Sequence, residues 1–230
     1  MNALFESSLY FGVFISLAAY GVGVWLKKMT GWSLMNPLFV AIVLVIASIS
    51  LLGISYDTYN RGAHIITYLL TPSTICLAVP LYQQIDLLKH NKRAVVAGVV
   101  SGVFSSLIII WVLSLLFHLD HTSYVTFLPK SITTAIGIGV TEELGGYVSI
   151  SVAVIIITGV LGSMIAEKWL KWLHITEPIA RGIALGSASH AIGTAKAMEL
   201  GPVEGSMSSL SIVVCGICTV IAAPFFAALL

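Results

Sequence analysis

The sequence predicts an all-α fold: a polytopic helical membrane protein with broken or re-entrant helices and an internal repeat of about 57 residues. Three observations predict it. The first is composition. Of 230 residues, 58% are hydrophobic and 9% charged, with a mean hydropathy of +1.02. Soluble domains carry about 25% charged residues, and so few charges do not cover a water-exposed surface. The second is a polar, glycine-rich stretch, Arg181 to Gly205 (RGIALGSASHAIGTAKAMELGPVEG), set between membrane-length apolar runs. Polar backbone and side chains are costly against acyl chains, so such a stretch must face protein or a wet cavity. The third is that the stretch recurs.

Taken in order, 9–26 reads as the first span. It ends at Lys27-Lys28 rather than at a small-residue cleavage site, and Glu6 is the only early charge. It is therefore expected to be a retained helix, not a signal peptide. Asn36 and Pro37 suit an N-cap and a first helical position ahead of the run 38–54. Residues 55–62 read as a loop holding Asp57 and Arg61 between the interfacial tyrosines Tyr56 and Tyr59. The run 64–88 is broken by Pro72 and Pro80 and closes on a basic loop, 89–93; 94–117 is a further span. Residues 124–146 are polar again. The apolar run 149–166 leads into an interfacial band of Trp169, Trp172 and cations, and 206–230 is the last span. This gives six spans or near-spans plus two polar segments that cross, re-enter or break midway. Basic loops tend to stay cytoplasmic, which places Lys27, Lys28, Lys89, Lys92 and Arg93 inside and the N-terminus outside. It also favours re-entry for 124–146, because Lys168 and Lys171 then fall inside too. The chain reads as one membrane domain, 1–230, with N-terminal spans in 9–62 and repeat copies in 64–117, 124–170 and 178–230.

The repeat is visible at Gly102, Gly159 and Gly216, spaced by 57 residues in Ser-Gly-Val, Thr-Gly-Val and Cys-Gly-Ile. The second and third copies align at a shift of 56. Ser131 falls on Ser187, Thr133 on Ser189, Thr134 on His190, Ala135-Ile136-Gly137 on Ala191-Ile192-Gly193, and Glu143-Leu144-Gly145 on Glu199-Leu200-Gly201. Small residues let helices approach closely, and glycine in a membrane helix permits a break. A break frees backbone N–H groups at a half-helix N-terminus, where an anion can sit. Duplicated broken segments meeting at the midplane recur in secondary transporters; close packing without a site is the other reading.

On a helix of about 3.6 residues per turn Ser187, His190 and Thr194 share one face, with Ser189, Gly193 and Lys196 opposite. The expected site binds a small carboxylate near Ser187, Ser189, His190 and Thr194. It is completed by Ser131, Thr133 and Thr134, with Lys196 or Lys130 offsetting the charge. His190 is a candidate for a coupled proton, histidine titrating at about 6.5. A satisfied structural histidine and a snorkelling lysine are the alternatives for His190 and Lys196. No cofactor or metal is expected. His118-Leu119-Asp120-His121 reads as a solvated connector, and Cys215-Gly216-Ile217-Cys218 lacks a second ligand pair. Cys76, Cys215 and Cys218 lie in apolar runs as small buried residues. A net charge of +1 without a clustered basic face excludes nucleic acid. An intramembrane hydrolase is not expected either. Neighbouring Ser and His side chains diverge by about 100° on a helix, and no G-x-S-x-G elbow or orienting acid accompanies them.

Several motifs carry a resemblance across nearly the whole chain: Asn36-Pro37-Leu38, Gly53 to Tyr59 (GISYDTY), Ala78 to Tyr82 (AVPLY), Leu128 to Thr134 (LPKSITT), Glu143 to Gly146 (ELGG), Ala180-Arg181-Gly182 and Gly186 to Ala195 (GSASHAIGTA). In these the chain resembles the LrgB/CidB family of bacterial membrane proteins. The resemblance implies a multi-pass protein of the bacterial cell membrane, antiholin-like or holin-like, that modulates murein hydrolase activity and cell lysis beside a small LrgA/CidA-type partner. Similar relatives are described as carriers of small monocarboxylates, pyruvate in bacteria and glycolate and glycerate in plastids. The expectation is thus a transporter of pyruvate- or glycolate-like monocarboxylates, with holin/antiholin-like regulation as the alternative. A homodimer is expected, because so small a chain would otherwise expose its mobile core helices to lipid.

Overall fold

The computed structural model describes residues 10–32, 35–76 and 78–230, and among them the regular elements are all α-helices. Leu9 and Glu6, which bear on the first span, lie outside the described residues. The chain packs as two units, 1–76 and 77–230.

The first unit holds α1 (Phe11–Thr30), α2 (Pro37–Leu52), α3 (Tyr56–Tyr68) and α4 (Leu70–Cys76). The Asn36 side chain caps α2, accepting from Leu38 N at 2.9 Å and Phe39 N at 3.4 Å. Gly23 of α1 lies so near Pro37 that a Cβ there would fall 2.6 Å from its carbonyl oxygen. The expected loop 55–62 is instead the start of α3. Ser55 caps it by accepting from Thr58 N, and Asp57 in the first turn suits the positive helix end. Its polar residues are the outer face of an amphipathic helix. The expected run 64–88 is not one span but successive short helices. Pro72 and Pro80 each fall in the first turn of a new helix, where no intrahelical N–H is required.

The second unit holds α5 (Ala78–Gln83), α6 (Ile85–Leu116), α7 (His121–Phe127), α8 (Thr134–Glu143), α9 (Val148–Trp172), α10 (Pro178–Leu200) and α11 (Pro202–Ala227). The basic segment 89–93, expected as a loop, is helical within α6, with Lys89 3.7 Å from Asp86 one turn earlier. Among the described residues, four helical stretches are long and apolar enough to cross a membrane: α1, Lys89–Leu116 of α6, α9 and α11. The chain is a helical membrane protein. In the second unit Val99, Leu107, Tyr124, Leu128, Met207 and Cys215 form the core between α6, α7 and α11.

The two polar segments fold as helical hairpins. In α10 the backbone of His190 takes φ 43° and ψ −135°, a left-handed conformation that breaks the helix. Residues 178–189 then run parallel to α11, since Gly182 lies against Glu204 and Met207, and Gly186 against Ser208 and Ser211. Residues 191–200 run back the other way: Gly193 meets Leu185, Thr194 bonds Ser208 at 2.7 Å, and Gly205 meets Met198. Both legs of this hairpin therefore start from the N-terminal end of α11. At its base Arg181 donates to the Ile175 carbonyl and stands 3.9 Å from the buried Glu204.

The other hairpin is α7, a break at 128–133, and α8. It starts from the opposite end of the bundle, where the Tyr124 hydroxyl donates to the Phe226 carbonyl at 2.8 Å. It returns to the same end, where Tyr147 N donates to Thr126 Oγ1 at 2.8 Å. In the connector before it, exposed Asp120 caps α7, and hydrogen bonds from the Ser123 hydroxyl and N–H hold its carboxyl below the usual range. Lys89, Lys92, Arg93, Lys168, Lys171 and Arg181 all belong to the end from which the α10 hairpin starts, and His118, Asp120 and His121 to the other.

Candidate functional site

The two hairpin tips meet in the middle of the second unit, between α6 and α9. They share a groove of about 420 Å³. The first tip supplies Lys130 and Ser131, the second Ser187, Ala188 and Ser189. α6 adds Gly102, Ser106 and Ile109, and α9 adds Thr158, Leu161, Gly162 and Ile165. A second groove of about 900 Å³ leads from Asn91 and Glu177, at the basic end, past Ser101 and Ser105 to Ser187.

The polar atoms of the site are unevenly committed. Lys130 Nζ donates to Ser131 Oγ at 3.0 Å, and Ser131 Oγ lies 3.2 Å from Ser106 Oγ. Among the described residues no carboxylate stands within ion-pair distance of Lys130. Ser187 Oγ donates to the Ile183 carbonyl at 2.7 Å, which leaves its lone pairs toward the groove. Ser189 is 1% exposed, and among the described residues its hydroxyl has no hydrogen-bond partner. It fills the notch left by the missing side chain of Gly162. Thr133 occupies the N-cap position of α8 without a side-chain capping bond, and Thr134 begins the helix. Both are at the first tip but outside the groove lining.

Three expected site residues face elsewhere. His190 Nε2 is 2.9 Å from the Ile155 carbonyl, its ring lodged against Gly159 of α9. Thr194 donates to the His190 carbonyl at 3.0 Å and bonds Ser208 on α11. Lys196 forms ion pairs with Glu167 at 2.5 Å and Glu199 at 3.0 Å. The expectation that Ser187, His190 and Thr194 share a face fails because the helix reverses at His190. Ser187 turns to α6, His190 to α9 and Thr194 to α11. Sequence reasoning also missed Ser106, Thr158 and Gly162. The Ser105-Ser106 pair inside an apolar span and the Thr-Gly of the repeat were the signals available.

An ammonium with no carboxylate at ion-pair distance among the described residues, bonded to the Ser131 hydroxyl in a groove that Ser106, Ser187 and Ser189 also line, can bind an anionic group. The wall of Leu161, Ile165 and Ile109 can take a short apolar remainder. Fold and site together define a class: a helical membrane protein in which the tips of two opposed helical hairpins border one open groove with a few polar groups.

Comparison with known proteins then identifies the family. The LrgB-like family model matches residues 16–229, and the chain belongs to that family. It is 40% identical over 224 residues to the antiholin-like protein LrgB of Bacillus subtilis (strain 168), covering 97% of each chain. It is 37% identical over 218 residues to those of Bacillus mycoides (strain KBAB4) and Bacillus cereus (strain B4264), covering 94% of this chain and 95% of theirs. No solved structure matches the chain.

Proposed function

We propose that this protein has an antiholin-like role in the bacterial cell membrane, restraining murein hydrolase activity and lysis, and that it exerts that role by moving small monocarboxylates through the site between its hairpin tips. The two halves of the proposal have different support. The relatives' names favour the antiholin-like half and say nothing of transport. The carrier half rests on one observation: Lys130, at the depth of the bundle centre, has hydroxyls around it and no carboxylate among the described residues. Lys130 is half-buried; a cation drawn away from water is costly unless something offsets it, and an arriving carboxylate does so. The single cation lining the groove among the described residues and the aliphatic wall beside it suit a short monocarboxylate such as glycolate or pyruvate.

The geometry also favours an inverted repeat. The helix start at Thr134 and the break at His190 lie 56 residues apart, and each hairpin is followed by a long helix, α9 or α11, of opposite direction. A homodimer and a small LrgA/CidA-type partner belong to the same proposal. Ser187 and Ser189 are read as ligand-binding rather than catalytic, because His190 Nε2 is engaged by the Ile155 carbonyl instead of a serine.

The test has two arms. Purified protein in liposomes should take up labelled glycolate or pyruvate saturably, and Lys130→Met should abolish uptake. In cells lacking the native protein, the wild-type chain should slow autolysis and Lys130→Met should not. Uptake equal to that of empty liposomes removes the carrier half. Full lysis control by Lys130→Met separates lysis control from the site.

A further inference from the structure

We propose that the solute crosses by passing between the two hairpin tips, and that Thr219 of α11 is the next hydroxyl it meets. This rests on the carrier reading above. Beside the Ser106–Ser131 contact lies a narrow void of about 10 Å³, room for roughly one water. Ser106, Ser131, Ser187, Cys215 and Thr219 give it its polar lining. The first three also line the groove, so the two spaces share a wall of serine side chains.

Thr219 is 5% exposed, and among the described residues its hydroxyl has no hydrogen-bond partner. On the same helix Ser206, Ser209 and Ser211 each donate to a carbonyl four residues back, the ordinary way for a helical hydroxyl to be satisfied. Thr219 departs from that habit where the helix borders the void. Further along α11 the buried Tyr124 donates its hydroxyl to the Phe226 carbonyl and ties α7 to that end of the helix. Vestibule, groove, serine contact and void thus follow one another from the basic end inward.

The test uses the full chain in liposomes with labelled glycolate, and glycolate binding to the same protein in detergent. Thr219→Val keeps the shape and removes the hydroxyl. Uptake should fall about tenfold, the loss of one hydrogen bond to a charged group, while binding at the groove is unchanged. Thr219→Ser should restore uptake. Parental uptake by Thr219→Val overturns the proposal. So does failure of Thr219→Ser to rescue, or equal loss of binding and uptake, since either marks a structural role. A parent protein without uptake rejects the carrier reading itself and is told apart by that control.

Discussion

Replacing Lys130 by Met removes the positive charge while keeping most of the side-chain volume. The structure leaves this ammonium with the Ser131 hydroxyl and no acid among the described residues, so an arriving carboxylate meets no internal competitor. Two unit charges about 4 Å apart attract by about 4 kcal/mol at an effective dielectric of about 20. Desolvation of both groups takes back part of this. What remains is about 1.5–3 kcal/mol, the usual net value of a hydrogen bond to a charged group. That is roughly a tenfold to hundredfold rise in Kd. Titration calorimetry with glycolate on detergent-purified protein reads it directly. Lys196→Met is the matched control. Lys196 already faces Glu167 and Glu199, both well exposed, so its loss should leave Kd unchanged and alter stability by about 0–1 kcal/mol. Parental affinity in Lys130→Met, or a larger effect from Lys196→Met, would refute the assignment of the counter-charge.

Other predictions follow from the same geometry. Ser189→Ala removes an unpartnered hydroxyl and should weaken glycolate binding by about 1 kcal/mol without lowering the thermal midpoint; a lowered midpoint would mark the hydroxyl as structural. Gly162→Ala puts a methyl group where Ser189 Oγ sits and should lower the midpoint, and adding Ser189→Gly should restore it. Lack of rescue would show that the notch is not what Gly162 provides. His190→Ala loses the bond to Ile155 and keeps a strained backbone; it should cost about 1–3 kcal/mol and leave the pH profile of uptake unchanged. A flattened profile in a fully stable protein would return the proton role to His190. Cysteines introduced for Lys92 and Lys171 should react with an impermeant thiol reagent from the cytoplasmic side, because both mark the basic end of the second unit; labelling from opposite sides would overturn the two-hairpin arrangement.

The helical membrane class was legible because it depends on composition, which no local contact overrides. The α2 start at Asn36-Pro37 was legible because capping is local. The two polar segments were also readable as the places where the helices break, at 128–133 and at His190. What was hidden is the backbone reversal. Nothing in Ser189-His190-Ala191 announces a left-handed histidine; it is held there by the Ile155 carbonyl and the notch at Gly159, both brought up by α9. From that one dihedral pair follow the dispersal of Ser187, His190 and Thr194 to three different helices and the diversion of Lys196 to Glu167. The helical character of 55–62 and 89–93 was obscured for another reason. A polar helix face and a polar loop have the same composition, and only the Ser55 cap and the Asp86–Lys89 spacing tell them apart.

The central claim is that a carboxylate binds where the two hairpin tips meet. A protein carrying Ser131→Cys and Ser187→Cys, with Cys76, Cys215 and Cys218 replaced by Ala, places one thiol on each tip beside the same void. A short bifunctional thiol reagent should link them within one chain, and saturating glycolate should slow the reaction while equal chloride does not. No intramolecular cross-link, or a rate indifferent to glycolate, would contradict the account.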